Sequence, residues 1–149
     1  MAIWKKVTLG LAAVAVLAAG AFLWFVQSLS SAFEGMCGNQ VLAEFPSPNG
    51  QVKAVIFERN CGTTTDFSTQ VSILSSGELL ENEGGNLFVA DTDHGRAPSG
   101  VGGGPEVRFR WVSDAEAEIF HHPAARVYKS STSLRGMRVS YVAFPSRDR

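Results

Sequence analysis

Residues 51–74 read QVKAVIFERNCGTTTDFSTQVSIL and place two strand-forming runs on either side of a polar loop. The first run, 51–58, is rich in β-branched and aromatic residues, which favour a buried strand. The second run, 69–74, alternates apolar and polar residues and puts Val71 and Ile73 on one face. The pattern predicts two neighbouring strands of a β-sheet joined by a loop of hydroxyl side chains.

Further short strands are predicted on both sides of this stretch. The turn SPNG at 47–50 precedes the first run, because proline presets φ and asparagine and glycine tolerate positive φ. Other strand-like runs occupy 41–45, 86–90, 107–111, 117–122, 126–129 and 137–144, and the last two are expected to form a hairpin. The fold class predicted is mainly β, with a small antiparallel β-sandwich or curled sheet.

Two polar segments interrupt the strand-like runs. Residues 75–85 (SSGELLENEGG) predict an acidic loop. Residues 95–105 (GRAPSGVGGGP) carry too little apolar surface to order themselves, so they predict a flexible loop.

An apolar run from Val7 to Val26 (VTLGLAAVAVLAAGAFLWFV) contains no charge and one polar residue, Thr8. As a helix it would be about 30 Å long, the thickness of a hydrocarbon core. We therefore expect a transmembrane helix whose partner is the lipid bilayer. A cleaved signal peptide is the alternative, with small residues at 30–32, although the apolar core of such signals is usually shorter, about 7–15 residues.

The distribution of lysine and arginine predicts the orientation of this helix. Lys5 and Lys6 precede it, and the next basic residue is Lys53. The positive-inside rule leaves the N-terminus in the cytoplasm and exports the rest across a bacterial inner or cytoplasmic membrane. The expected organisation is a cytoplasmic tip, a transmembrane helix, a juxtamembrane linker and an extracytoplasmic β domain, at 1–6, 7–26, 27–40 and 41–149.

The chain has two cysteines, Cys37 and Cys61, and both follow the predicted helix. An oxidising compartment favours a disulfide between them. In the chain-entropy treatment, a disulfide that closes the segment between Cys37 and Cys61 raises the free energy of unfolding by roughly 3–3.5 kcal/mol.

The loop after Cys61 is a candidate recognition loop. Its polar side chains are Thr63, Thr64, Thr65, Asp66 and Ser68. They can hydrogen-bond the loop backbone where the strand ladder is interrupted. The same groups would form a polar recognition surface if they were exposed.

Catalytic and metal-binding signals are sparse. A nucleophile–base pair would combine Cys61 with His94, His121 or His122. Export favours an oxidised cysteine, so no catalytic residue is assigned. Asp91 and Asp93 alternate like the start of a calcium loop, yet glycines stand where an EF-hand requires further ligands. They are minor metal candidates only, and no metal or cofactor is predicted.

The net charge of −1 comes from 14 acidic and 13 basic residues. Acids dominate 60–106, and bases dominate 107–149, so the folded domain is expected to have either two charged faces or an interleaved pattern. No basic patch with stacking aromatics is evident, and we predict no nucleic-acid partner.

Several motifs resemble a group of small bacterial proteins of unknown function with an N-terminal hydrophobic segment. The shared features are an SPxG turn at 47–50, Cys-Gly-x-Thr-Thr at 61–65 and F-S-T-Q-V-S-I at 67–73; the segments NEGGNLFVAD and GPEVRFRW are also similar. The resemblance implies the domain boundaries and no activity.

Three functions are compatible with these observations. The first is a non-catalytic binding or accessory module of the bacterial envelope, with another envelope protein as partner. The second is a small envelope hydrolase that uses the loop at 61–65 or the loop at 91–94. The third is an envelope protein that protects against a secreted toxin.

Overall fold

The computed structural model describes residues 2–34, 37–62 and 65–144. The chain forms two compact units, Met1–Met36 and Cys37–Arg149. Each unit is described by itself.

The first unit contains one helix, α1, at Ala2–Glu34. Residues 27–34 were predicted to belong to a linker, but they are helical, because QSLSSAFE contains no glycine or proline that would end the helix. The apolar side chains of Val16, Leu17 and Trp24 are exposed. The side chains of α1 are described at Gly10 and at 13–29. This described part of the helix contains no segment long and apolar enough to cross a membrane. The transmembrane span stays a prediction from the sequence.

The second unit is built from short strands. Within the described residues they are β1 Gly38–Pro46, β2 Val52–Asn60, β3 Ser68–Ser75, β4 Phe88–Asp91, β5 Val107–Ser113, β6 Glu116–His121, β7 Arg126–Ser130, β8 Ser133–Leu134 and β9 Met137–Ala143. The prediction of a mainly β domain is confirmed.

The strands form two sheets. Sheet 1 has the order β1-β2-β3-β4-β7 and is antiparallel throughout. Sheet 2 has the order β5-β6-β9-β8, and its β6–β9 pair is parallel. The predicted hairpin of 126–129 with 137–144 is wrong, because β7 pairs with β4 in sheet 1 while β9 pairs with β6 in sheet 2.

One hydrophobic core lies between the two sheets. Ile56 and Ile73 of sheet 1 belong to the same buried cluster as Phe109, Ile119 and Val139 of sheet 2. Alternate residues of each strand point to opposite faces, so these side chains identify the inner face of each sheet.

The outer face of sheet 1 is also covered. Val55, Phe57 and Leu74 form a second buried cluster, against which Leu80 packs. Leu80 lies in the segment predicted as an acidic loop, and Asn39 binds that loop by donating to the carbonyl oxygens of Glu81 and Glu83. This cover explains why both faces of β2 are buried.

The predicted disulfide between Cys37 and Cys61 is present. In the antiparallel ladder of β1 and β2, Gly38 lies opposite Asn60. The two cysteines are therefore the next facing pair along the same register. β1 begins at Gly38 rather than at residue 41, because the ladder continues up to this bridge.

Residues 95–105 pack against the strands in spite of their low apolar content. A Cβ on Gly104 would lie 2.5 Å from Oγ1 of Thr69, and one on Gly102 would lie 2.6 Å from Oε2 of Glu58. Thr69 also donates a hydrogen bond to the carbonyl oxygen of Pro105 at 2.7 Å. Glycine is required here because the loop backbone approaches β2 and β3 so closely.

Candidate functional site

The two loops singled out in the sequence lie at one end of sheet 1. Arg59 faces Ser68 across β2 and β3, and Ser68 faces Asp91 across β3 and β4. Because these strands are antiparallel, the end of β2, the start of β3 and the end of β4 share one edge of the sheet. The loops that follow β2 and β4 are neighbours for this reason.

A cavity of about 450 Å³ lies at this end of the sheet, and we call it the polar cleft. It is lined by Arg59, Cys61, Thr65, Asp66, Ser68, Val89, Asp91, His94, Arg126 and Tyr128. The predicted loop residues Thr65, Asp66 and Ser68 are therefore brought together with Asp91 and His94. Thr63 and Thr64 lie outside the described residues.

Asp91 is the most heavily hydrogen-bonded carboxylate of the polar cleft. Arg126 donates to Oδ1 through Nε at 3.1 Å and to Oδ2 through Nη2 at 2.5 Å. Tyr128 donates its hydroxyl to Oδ2 at 2.7 Å, and the backbone N–H of Asp93 donates to Oδ1 at 2.8 Å. Burial opposes the charge of Asp91, but these donors outweigh it, and the pKa of Asp91 is lowered.

The pKa values of two side chains that bind Asp91, those of Tyr128 and Arg126, are raised. The hydrogen bond to Asp91 raises the pKa of Tyr128, because the phenol proton is held between the two side chains. The same carboxylate raises the pKa of Arg126 through its hydrogen bonds. At neutral pH the three side chains therefore form one hydrogen-bonded group, in which Asp91 and Arg126 are charged and the phenol of Tyr128 keeps its proton.

Asp91 and Asp93, the minor metal candidates of the sequence, both contact the guanidinium group of Arg126. Arg126 contacts Asp91 and also lies 3.5 Å from Oδ1 of Asp93 through Nη1. In the part of the chain that the structure describes, no group of three or more His, Cys, Asp or Glu side chains is arranged to hold a metal ion. His121 packs its ring against Phe88, with centroids 5.4 Å apart.

The loop after β4 holds His94 beside Asp66. Asp93 and His94 have φ values of 50° and 57°, a left-handed conformation that is costly for residues other than glycine. Oδ2 of Asp66 accepts the backbone N–H of His94 at 3.1 Å and lies 3.2 Å from its ring Nδ1. The His94 side chain is 76% exposed, so this strained turn presents an imidazole to solvent at the rim of the cleft.

Arg59 is the cation of the polar cleft that has no acidic partner among the described residues. Its Nη1 donates to the amide oxygens of Asn39 at 2.8 Å and Asn82 at 3.3 Å. Both acceptors are neutral, so Arg59 forms no ion pair with a described carboxylate. A guanidinium in this state can form charge-assisted hydrogen bonds with an acidic group.

The candidate nucleophiles of the cleft are engaged in other interactions. Cys61 is oxidised in the disulfide. Ser68 donates its hydroxyl to the carbonyl oxygen of Arg59 at 3.2 Å and accepts a hydrogen bond from Gln70 at 2.8 Å. The arrangement supplies fixed donors and acceptors, which suits recognition of a polar ligand.

Sequence reasoning missed four of the residues that line the cleft, namely Arg59, Val89, Arg126 and Tyr128. Arg126 and Tyr128 are two positions apart on one strand, so alternation indicates that they share a face. No local sequence pattern predicts that β7 pairs with β4, and this pairing is what brings Arg126 and Tyr128 to Asp91.

Comparison with known proteins gives no relative for this chain. No protein-family model matches the sequence. No curated protein is similar to it. No solved structure matches it either.

Proposed function

We propose that this protein is an N-terminally anchored, extracytoplasmic binding module of the bacterial envelope and that the polar cleft is its recognition site. The observation that carries the proposal is the convergence of two loops in one cavity with Arg59, which has no acidic partner in the part of the chain that the structure describes. The loop residues that line this cavity are Cys61, Thr65, Asp66, Ser68, Asp91 and His94. The ligand we expect is a polar envelope component with a carboxylate or other acidic group.

The cleft is organised before any ligand binds. Asp91, Arg126 and Tyr128 hold one another, and Asp66 holds His94. Side chains fixed in this way lose little conformational entropy on binding, which favours affinity. The oxidised state of Cys61 and the hydrogen bonds of Ser68 support binding over nucleophilic catalysis.

The test is photo-crosslinking with the full chain in bacterial membranes. A photoreactive phenylalanine analogue replaces Thr65 in the cleft, and the matched control carries it at Ser140, an exposed residue on the outer face of sheet 2. Intact mass detects both small-molecule and protein adducts. We expect an adduct at 65 and none at 140; equal labelling at both positions, or none at either, contradicts the proposal.

A second pair of variants tests the role of charge. Arg59→Gln is expected to lower the adduct yield at position 65 about tenfold, because charge-assisted hydrogen bonds to an acidic ligand are lost. Arg110→Gln is the control, since Arg110 pairs with Glu118. If Arg59→Gln leaves the adduct yield at position 65 unchanged, the proposal of an acidic ligand at this site is contradicted. If the crosslinked adduct contains a secreted protein, the result supports a role in protection against a secreted toxin.

A hydrolase is the second candidate, and the Asp66–His94 contact favours it. An acidic residue that orients a histidine is the base half of a nucleophilic triad. If this candidate is correct, the full chain reacts with a fluorophosphonate probe, and His94→Ala abolishes the reaction. Labelling that survives His94→Ala, or no labelling, rejects it.

A further inference from the structure

The Cys37–Cys61 disulfide borders the polar cleft, because Cys61 is one of the residues that line it. Both cysteines are partly exposed, and exchange with an external thiol requires such access. Gly38 and Asn60 are the facing pair next to the bridge in the ladder of β1 and β2. The bridge therefore clamps the start of β1 to the end of β2, the segment that carries Arg59.

Asn39 connects this clamped end to Arg59. It lies two positions after Cys37 and faces Arg59 across the ladder. Its Oδ1 accepts a hydrogen bond from Nη1 of Arg59 at 2.8 Å. Its Nδ2 donates to the carbonyl oxygens of Glu81 and Glu83 in the acidic loop. One amide thus orients the guanidinium group of Arg59 and attaches the acidic loop to β1.

Asn82 connects the disulfide to the same guanidinium group. Its Nδ2 donates to the carbonyl oxygen of Cys37 at 2.7 Å, and its Oδ1 accepts a hydrogen bond from Nη1 of Arg59 at 3.3 Å. Both side-chain acceptors that Arg59 has among the described residues are therefore held by the clamped end of β1.

The other nitrogens of the Arg59 side chain are left for a ligand. Both of its side-chain hydrogen bonds use Nη1, so Nε and Nη2 have no acceptor in the part of the chain that the structure describes. A guanidinium group can bind a carboxylate through two parallel N–H···O bonds. Because Nη1 is anchored and Arg59 lines the cleft, the edge formed by Nε and Nη2 is available for such a bidentate pair.

We propose that the Cys37–Cys61 disulfide is a redox switch on the binding of acidic groups by Arg59, and this proposal rests on the recognition role proposed for the polar cleft. In the oxidised state, two amides hold Nη1 of Arg59. Without the bridge, the end of β1 frays from β2, because the ends of an element open most easily. Asn39 and the carbonyl group of Cys37 then leave their positions, and Arg59 loses the acceptors that orient it.

The switching reaction is thiol–disulfide exchange with a dithiol reductant. One thiolate of the reductant attacks the sulfur of Cys61, forms a mixed disulfide and releases the Cys37 thiolate, which takes up a proton. The second thiolate of the reductant attacks its own sulfur in the mixed disulfide and releases Cys61, which is protonated in turn. Two electrons pass to the protein, and the reductant leaves as a disulfide.

The test follows the Nε–H signal of Arg59 by NMR in the full chain in lipid nanodiscs, with acetate as the carboxylate probe. We expect acetate to bind the oxidised chain about tenfold more tightly than the chain reduced with dithiothreitol, because hydrogen bonds to a charged group contribute this much. Hydrogen exchange should become faster in the acidic loop after reduction, while the strands of sheet 2 stay protected. Alkylation and intact mass verify that both thiols have formed.

Asn82→Ala tests the connection while the disulfide is intact. The change removes one acceptor of Nη1 and the donor to Cys37, so acetate is expected to bind the oxidised variant about fivefold more weakly. The Nε–H signal of Arg59 should also shift. Glu81→Gln is the matched control, because the exposed side chain of Glu81 forms no hydrogen bond with a described residue and only its backbone carbonyl binds Asn39. The acetate affinity of the control should match that of the wild type.

Equal acetate affinity in the two redox states overturns the proposal, and so does an Asn82→Ala variant with wild-type affinity. An acidic loop whose exchange does not change on reduction overturns it as well. Loss of protection throughout sheet 2 on reduction has the same meaning, because the bridge would then support the whole domain rather than the cleft. A failure of the proposed function is a different result, the absence of an adduct at position 65. Combined with redox-dependent acetate binding, it would reject the recognition role and keep the switch.

Discussion

Asp91 and Arg126 face each other across the ladder of β4 and β7, and two hydrogen bonds join their side chains. The other side chains of β7 are exposed, so this contact adds a side-chain attachment to the backbone ladder that joins β7 to β4. The same pair forms one wall of the polar cleft. One ion pair therefore links the stability of an edge strand to the shape of the proposed recognition site.

Arg126→Ala is expected to destabilise the protein more than the loss of an exposed ion pair does, because it leaves the buried Asp91 carboxylate without its charged donor. Arg96→Ala is the matched control. Arg96 pairs with Asp93, but its side chain is 77% exposed, so its loss is expected to cost less than about 1 kcal/mol. Urea unfolding measures both values, and equal losses would contradict the importance of the Asp91 pair.

Acid should weaken the fold through Asp91. Its pKa is lowered from 3.8 in the folded state, so the unfolded chain binds the proton first as the pH falls. The stabilisation is complete above about pH 4–5 and is lost as the pH falls through the folded pKa. Asp91→Asn is expected to be less stable than the wild type at neutral pH and to lose less stability between about pH 5 and pH 2. Parallel acid-stability curves for the two proteins would refute this assignment.

Alkali should reveal two tyrosines that resist ionisation. Burial raises the pKa of Tyr141 to about 12, and the hydrogen bond to Asp91 raises that of Tyr128. Because both folded pKa values exceed the unfolded value of 10.0, stability is complete below that pH and falls as the pH rises through the folded values. Ultraviolet absorbance of tyrosinate should therefore appear at higher pH in the native chain than in the chain unfolded in urea. Tyr141→Phe should halve the native signal, and coincident titrations of native and unfolded protein would contradict both shifts.

Gly104→Ala is expected to destabilise the protein by about 1–3 kcal/mol, because the new methyl group would overlap the backbone and side chain of Thr69. Gly77→Ala is the control, since no atom lies within 4 Å of a Cβ at that position. Thermal unfolding compares the two variants. A neutral result at position 104 would show that the loop at 100–105 moves away from β3 without cost.

Local patterns were sufficient to predict the strands with strong side-chain preferences. The β-branched run of β2 identifies a strand that is buried on both faces, and the alternation of β5 matches side chains that face either the core or an open surface. The alternation of β3 also identifies a strand, although its polar residues Gln70 and Ser72 are buried too. The disulfide was predictable because Cys37 and Cys61 are the two cysteines of a chain expected to be exported.

Pairings between distant strands could not be predicted in this way. Neighbouring strands usually form hairpins, so β7 and β9 were predicted to pair, yet each joins a different sheet. The approach of Arg126 to Asp91 depends on that long-range pairing.

The crossing of β7 between the two sheets has a consequence for truncated chains. β6 and β9 are parallel neighbours in sheet 2, but between them the chain first contributes β7 to sheet 1. A chain cut before Met137 would keep β7 and lose β9, which would leave β6 with a bare row of backbone donors and acceptors. Such an edge is a template for pairing between molecules and for aggregation. β9 thus covers an edge through which molecules could associate. We expect a deletion of β9 to lower the solubility of the protein before it affects ligand binding.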